Sequence, residues 1–156
     1  MNSEQMQQPP TSVELQFVLT IEDGWPPVAI EGLPATPLEY GYRVEAAPLF
    51  VKGLSVGDII YVTRNAEGNV SSWGHLKKSN RTTIWLLRVG KVNPDDIQRI
   101  LQELRALKCK TVQLPQCGTY SIDVPAECPM EEVDACLEQL DKESVAVAYP
   151  SFRHNE

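Results

Sequence analysis

The sequence predicts an α+β protein, and three observations predict it. Apolar residues recur with a two-residue period before residue 82, a helix-period stripe begins only after residue 93, and a hairpin and a second helix follow that stripe. At 156 residues the chain is long enough to bury a working core, in one domain or in two small ones packed together. Apolar residues at 42% and charged residues at 22% place it with ordinary globular proteins rather than disordered or fibrous ones.

Residues 1–11 are rich in Gln and Pro and read as a disordered tail. Met1 to Pro10 has neither a basic cluster nor an apolar stretch, so no secretory signal is expected there. From Val13 to Thr20, Val13, Leu15, Phe17 and Leu19 alternate with Glu14, Gln16, Val18 and Thr20, the period of a half-buried strand. Between Glu22 and Tyr40 stand Pro26, Pro27, Pro34 and Pro37, with Gly24 and Gly32. Proline removes ladder donors, so this stretch reads as loop, with at most a short edge strand around Val28 to Ile30. Tyr42, Val44 and Ala46 mark the next strand, which Pro48 closes. The turn Gly53-Leu54-Ser55-Val56-Gly57-Asp58 then enters a strand at Ile59 to Val62. Asn65 to Asn69 reads as a hairpin loop returning through Val70 to Lys78. Residues 12–81 are thus expected to form a small antiparallel β-sheet or partial barrel.

Thr83 to Val89 is β-branched and apolar enough for a central strand. Asn93 is placed to cap a helix that Pro94 opens, with Asp95 and Asp96 opposing the positive end of its dipole. Ile97, Ile100, Leu101, Leu104 and Leu107 stripe one face at spacings of three and four. Thr111 to Leu114 and Thr119 to Val124 read as a hairpin around Pro115 to Gly118. Pro129 opens a second helix with Val133, Cys136, Leu137 and Leu140 inward, and Val145 to Tyr149 is a last strand. Strand, helix, strand, strand, helix, strand is the split βαβ order of ferredoxin-like domains, expected here over residues 82–156. It implies an antiparallel sheet with two helices on one face.

Composition narrows function. Fourteen Lys and Arg against 21 Asp and Glu give a net charge of −7, which opposes phosphate backbones, so no nucleic-acid partner is expected. The basic set Lys77, Lys78, Arg81 and Arg88 reads as a solvated strand edge. No apolar run approaches the roughly 20 residues of a membrane span, and neither GxxxxGK[ST] nor GxGxxG occurs. Cys109, Cys117, Cys128 and Cys136 contain no CxxC pair, so neither a metal nor any other cofactor is expected, and a reducing cytoplasmic setting disfavours disulfides. His154 reads as an exposed tail residue and His75 has no evident partner in sequence; Asp58 reads as a turn cap. No catalytic residue can be nominated.

Two features point to recognition instead. Glu131, Glu132, Asp134 and Glu138 lie in an acidic stretch from Glu127 to Glu143, which reads either as a solvated helix face or as a surface that steers a basic partner. Trp25, beside Pro26 and Pro27, and Tyr40 supply amphipathic aromatic surface around the Pro-rich segment.

The run Tyr42-Arg43-Val44-Glu45-Ala46-Ala47-Pro48-Leu49-Phe50, followed by Gly53-Leu54-Ser55-Val56-Gly57-Asp58-Ile59-Ile60, resembles the bacterial family called domain of unknown function 4265. The likeness continues through Lys77 to Leu87 and through the hairpin Gly118 to Pro125, and spans about Val13 to Tyr149. It implies a shared fold and brings no activity, cofactor or catalytic residue with it.

The leading expectation is therefore a cytoplasmic, non-enzymatic protein-binding module, monomeric or homodimeric, of the immunity type that neutralises a basic bacterial toxin domain by binding it. Its contact residues would be Trp25, Tyr40, Glu131, Glu132, Asp134 and Glu138. The alternative is a small-ligand sensor or an enzyme with its pocket between the two subdomains, near Tyr40, Asp58 and His75.

Overall fold

Five short strands wrap into a closed barrel: β1 (Val13–Val18), β2 (Ile30–Leu38), β3 (Gly41–Val44), β4 (Ile59–Arg64) and β5 (Val70–Lys77). This computed structural model describes residues 12–154, so the tail expected over residues 1–11 lies outside the described residues. Consecutive barrel strands pair antiparallel, and β1 meets β5 in parallel with Phe17 opposite Val70. The sheet or partial barrel expected from sequence is thereby closed, which removes its open edges. Leu15, Phe17, Leu33, Ala35, Val44, Ile60 and Val70 are buried together in its core.

β2 corrects the loop expected between Glu22 and Tyr40. It is a nine-residue strand containing both Pro34 and Pro37. It changes partner along its length, with Val13 and Val44 both opposite Ala35. Pro34 has its register partner only in β1 (Glu14) and Pro37 only in β3 (Tyr42). Each missing N–H can thus face the side where no ladder bond is required.

The second sheet has the order β7-β8-β6-β9, with every neighbouring pair antiparallel. Its strands are β6 (Thr82–Arg88), β7 (Lys110–Leu114), β8 (Thr119–Val124) and β9 (Val145–Ser151). Helix α1 (Pro94–Ala106) lies between β6 and β7, and α2 (Met130–Leu137) between β8 and β9. The Asn93 side chain accepts the Asp95 backbone N–H at 2.9 Å, and Pro94 occupies the first turn where its missing donor costs nothing. Ile97, Ile100, Leu101 and Leu104 are fully buried. Burial of each such side chain contributes about 1.5–3 kcal/mol before its ordering entropy is counted. They pack with Val133 and Leu137 of α2 and with Ile84, Leu86, Tyr120, Ile122 and Val145 of the sheet, so both helices cover one face. Pro129 stands just before α2 as its cap residue rather than opening its first turn.

Alternation turns Thr83, Trp85 and Leu87 of β6 and Thr119 and Ser121 of β8 to the other face, toward the barrel. The link between β3 and β4 lies across that face. Ser121 Oγ donates to the Ala47 carbonyl at 3.1 Å, Trp85 Nε1 to the Pro48 carbonyl at 2.7 Å, and Thr83 Oγ1 to the Leu54 carbonyl at 3.2 Å. Barrel and sheet therefore meet through a polar seam rather than a third apolar core. Among the described residues, no helix is long and apolar enough to cross a membrane.

Candidate functional site

One end of the seam is a buried polar cluster. Gly53 and Gly57, at φ values of +84° and +88°, allow the tight turn that carries Ser55 and Asp58 inward. Asp58 is fully buried. Its Oδ2 accepts the Ser55 N–H at 3.0 Å and its Oδ1 the Ser79 N–H at 2.8 Å. Arg153, beyond the end of β9, grips both oxygens at 3.0 Å, and His75 Nε2 lies 2.8 Å from Oδ2. Arg153 also donates to the carbonyls of Ser79 and Gly53, at 2.8 and 3.3 Å. Burial works to raise the Asp58 pKa, but the bonds from Arg153, Ser79, Ser55 and His75 outweigh it and hold the carboxyl below its ordinary value.

The Asp58–His75 contact has no hydrogen bond to the Ser55 hydroxyl. The nearby Ser55 hydroxyl is engaged at 3.0 Å with Thr83 Oγ1 and at 2.8 Å with Ser151 Oγ, while the carboxylate already serves five donors. The turn-cap role expected for Asp58 is present, enlarged into a clamp between barrel and sheet. His154 corrects its reading as an exposed tail residue. Its Nδ1 lies 2.6 Å from Thr82 Oγ1 and its Nε2 2.8 Å from the Pro125 carbonyl, so the end of the described chain is tied down.

The concave feature lies elsewhere along the seam. A cleft of about 840 Å³ separates the barrel wall from the uncovered part of the sheet. Trp25, Phe50, Trp73 and Trp85 line it, over a floor that includes Leu87, Ala146 and Ala148. All three tryptophans of the chain are in this set. Trp25 is 44% exposed and meets the Phe50 ring edge-on at 5.8 Å between centroids. Phe50 is held by Glu31, whose carboxylate accepts the N–H groups of Leu49, Phe50 and Val51 at 2.6, 2.9 and 3.0 Å. Burial pushes the Glu31 pKa up against the pull of those three donors. At the cleft floor sits Thr119, only 4% exposed; among the described residues its hydroxyl is the one buried side-chain polar atom without a hydrogen-bond partner.

The residues expected to make one contact surface are dispersed. Trp25 is in the cleft, whereas Tyr40 is 78% exposed in the β2–β3 turn and does not line it. Glu131, Glu132 and Asp134 on α2 and Glu138 just after it are all exposed, on the helix-covered side of the sheet, opposite the barrel. A groove of about 600 Å³ runs beside them, lined by Asp134, Glu138, Lys142 and Tyr149. The cleft lies between barrel and sheet, and Tyr40, Asp58 and His75 are not among its lining residues. The basic set is also redistributed: Arg81 binds Asp123 through two bonds of 2.8 and 2.6 Å, and Lys77 belongs to a strand of the closed barrel rather than to an open edge. Sequence reasoning passed over Phe50, Trp85, Thr119 and Arg153. β6 carried a usable signal, since Trp85 and Leu87 make it apolar on both faces, the mark of a strand covered on both sides.

Burial holds three of the cysteines, Cys109, Cys128 and Cys136, in the thiol form. Burial, reinforced by neighbouring Cys128, pushes the Cys109 thiol up to about 12, and burial likewise raises Cys128 and Cys136. Mass spectrometry after brief iodoacetamide treatment at pH 7.5 is expected to find Cys109 and Cys128 unmodified in the folded protein and alkylated in urea. Rapid native labelling at either would overturn this assignment. Among the described residues, no group of three or more His, Cys, Asp or Glu side chains is placed to hold a metal ion.

A solved structure, titled a hypothetical protein from Neisseria gonorrhoeae, matches with a TM-score of 0.69 at 15% identity, covering 94% of this chain and 99% of that one. At that identity the likeness shows the fold alone. No curated protein matches the chain. The family described as Domain of unknown function (DUF4265) matches residues 31–148, from the second residue of β2 into β9, and the chain belongs to that family.

Proposed function

We propose that this protein works by binding rather than by chemistry, and that its recognition site is the aromatic cleft between barrel and sheet. The observation that carries this reading is the pairing of three tryptophans and a phenylalanine with an unpartnered hydroxyl in one concavity, whose size falls in the ordinary range for small-molecule sites. The polar cluster around Asp58, by contrast, is saturated by its own contacts. The reading takes residues 82–156 as a ferredoxin-like unit, supported by the sheet order β7-β8-β6-β9 and by two helices on one face. It also takes the protein as cytoplasmic. A melting-temperature screen across a metabolite panel tests it. A true ligand at about a hundredfold excess over its Kd is expected to raise Tm by about 5–10 °C. That rise should shrink in Trp25→Ala. If no compound raises Tm, or if the rise survives that substitution unchanged, the cleft is not the recognition site.

A second reading keeps the immunity-type role. It is favoured by the exposed carboxylates Glu131, Glu132, Asp134 and Glu138, which stand next to β9, an edge strand with β6 as its sheet neighbour. A basic protein partner would be steered to this side by charge and could extend the sheet along β9. Co-purification with the product of a neighbouring gene, lost on reversing Glu131 and Glu132 to Lys, would support it. Absence of any stable partner, together with no rescue of growth when a neighbouring toxin is expressed, would count against it.

A further inference from the structure

The geometry points to a ligand class for the cleft: a small, planar, fused-ring organic molecule carrying one hydrogen-bonding atom. This rests on the reading of the cleft as the recognition site and goes beyond it in naming the chemistry.

The walls supply the first half of the argument. Trp25, Phe50, Trp73 and Trp85 bring four aromatic side chains to one cavity, and Ala146 and Ala148 leave part of its floor without bulk. Aromatic side chains gain most from other flat rings, stacked in offset or met edge-on, because their quadrupoles complement one another in those arrangements. Two of the walls are also fixed beforehand. Trp85 is pinned by its 2.7 Å bond to the Pro48 carbonyl, and the Phe50 backbone is held by the Glu31 carboxylate with its ring against that of Trp25. A site that is rigid before binding loses less entropy when it is filled.

Thr119 supplies the second half. A buried, unpartnered hydroxyl, on a residue only 4% exposed, forfeits the hydrogen bonds it would make in water. Its neighbours on β8 show the contrast, since the next side chain on the same face, Ser121, is satisfied by the Ala47 carbonyl. Thr119 lines the cleft, so a turn of its side chain toward a ligand atom seated on the floor would complete its hydrogen bonding. One hydrogen bond on the floor beneath the aromatic walls fixes orientation without requiring a charged ligand. Glu22, Asp23 and Lys52 at the edge carry charges of both signs and favour neither a cation nor an anion strongly.

Quinoline is the probe: flat, fused, and with a single acceptor nitrogen. Because the three tryptophans all line the cleft, the three indole N–H resonances in a 15N-labelled sample read the site directly. Quinoline is expected to shift them saturably, with half-saturation at about 1 mM, as suits a small fragment. Cyclohexanol, which has a hydroxyl but no flat ring, is expected to leave them in place over the same range. Thr119→Val removes the hydroxyl at nearly constant shape and leaves no buried polar atom behind, so it should fold at least as stably as the parent. It should weaken quinoline about tenfold, the effect of one lost hydrogen bond. Non-saturable shifts up to about 10 mM, equal response to cyclohexanol, or unchanged affinity in Thr119→Val would each overturn the assignment. A non-planar metabolite that raises Tm in the parent protein and not in Trp25→Ala would also overturn this ligand class, while the cleft would stand as the recognition site.

Discussion

Replacing Arg153 with Met is expected to cost about 3–5 kcal/mol of unfolding free energy at pH 7, because it strands a fully buried carboxylate without its cation. The substitution keeps most of the volume and removes the charge. Asp58 would retain the Ser55 and Ser79 N–H groups and His75, but lose both Arg153 bonds. The pH dependence discriminates this cause from simple loss of packing. In the parent protein the Asp58 pKa is held below its ordinary value, so the ionised clamp contributes stability above the unfolded-state pKa of about 3.9, and loses it as pH falls through the lower folded value. Without Arg153 the balance reverses, since burial then dominates and favours the protonated acid. The penalty of the substitution should therefore shrink as pH is lowered from 7 toward 3. Adding Asp58→Asn to Arg153→Met should recover part of the loss, because the stranded charge is gone. Urea unfolding across that pH range measures all three quantities. A loss below about 1 kcal/mol, or one that does not change with pH, would mean that the clamp contributes no more than a surface ion pair.

The clamp has no counterpart in any local sequence pattern. Periodicity located β1 and α1 because each carries its own signal: Leu15 and Phe17 at spacing two, and Ile97, Ile100, Leu101 and Leu104 at three and four. β2 was hidden because its two prolines argue against a strand, and only the change of partner at Ala35 makes them tolerable. Asp58, His75 and Arg153 come from a turn, a barrel strand and the end of the chain, and no local pattern announces that they converge. The same holds for the cleft. Trp25 stands out in sequence because Pro26 and Pro27 follow it, whereas Thr119 acquires meaning only when the barrel is laid over the sheet. An unpartnered hydroxyl is a property of the assembled neighbourhood and leaves no trace in composition.

Truncating Ile100 to Ala is expected to cost about 2–5 kcal/mol, since the residue is fully buried on the α1 stripe and its removal opens a cavity between α1, α2 and the sheet. Ile60→Ala, made at an equally buried position in the barrel core, should cost a similar amount. The informative result is how the two losses distribute along the unfolding transition. Bonds from the β3–β4 link to Thr83, Trp85 and Ser121, together with the contacts of Arg153 and Ser55, join two separate apolar cores. If that seam couples them, unfolding of the barrel strips Thr83, Trp85 and Ser121 of their protein partners and uncovers that face of the sheet, and the cost falls on the sheet as well. Either truncation should then lower a single transition, with fluorescence of the tryptophans and circular dichroism of the helices giving the same midpoint in urea. If Ile60→Ala instead separated the two signals, leaving the α1 and α2 signal at its original midpoint, the barrel would be an independent folding unit. The cleft at its boundary would then be an opening between bodies free to move, and the pre-formed site required for a small rigid ligand would be lost.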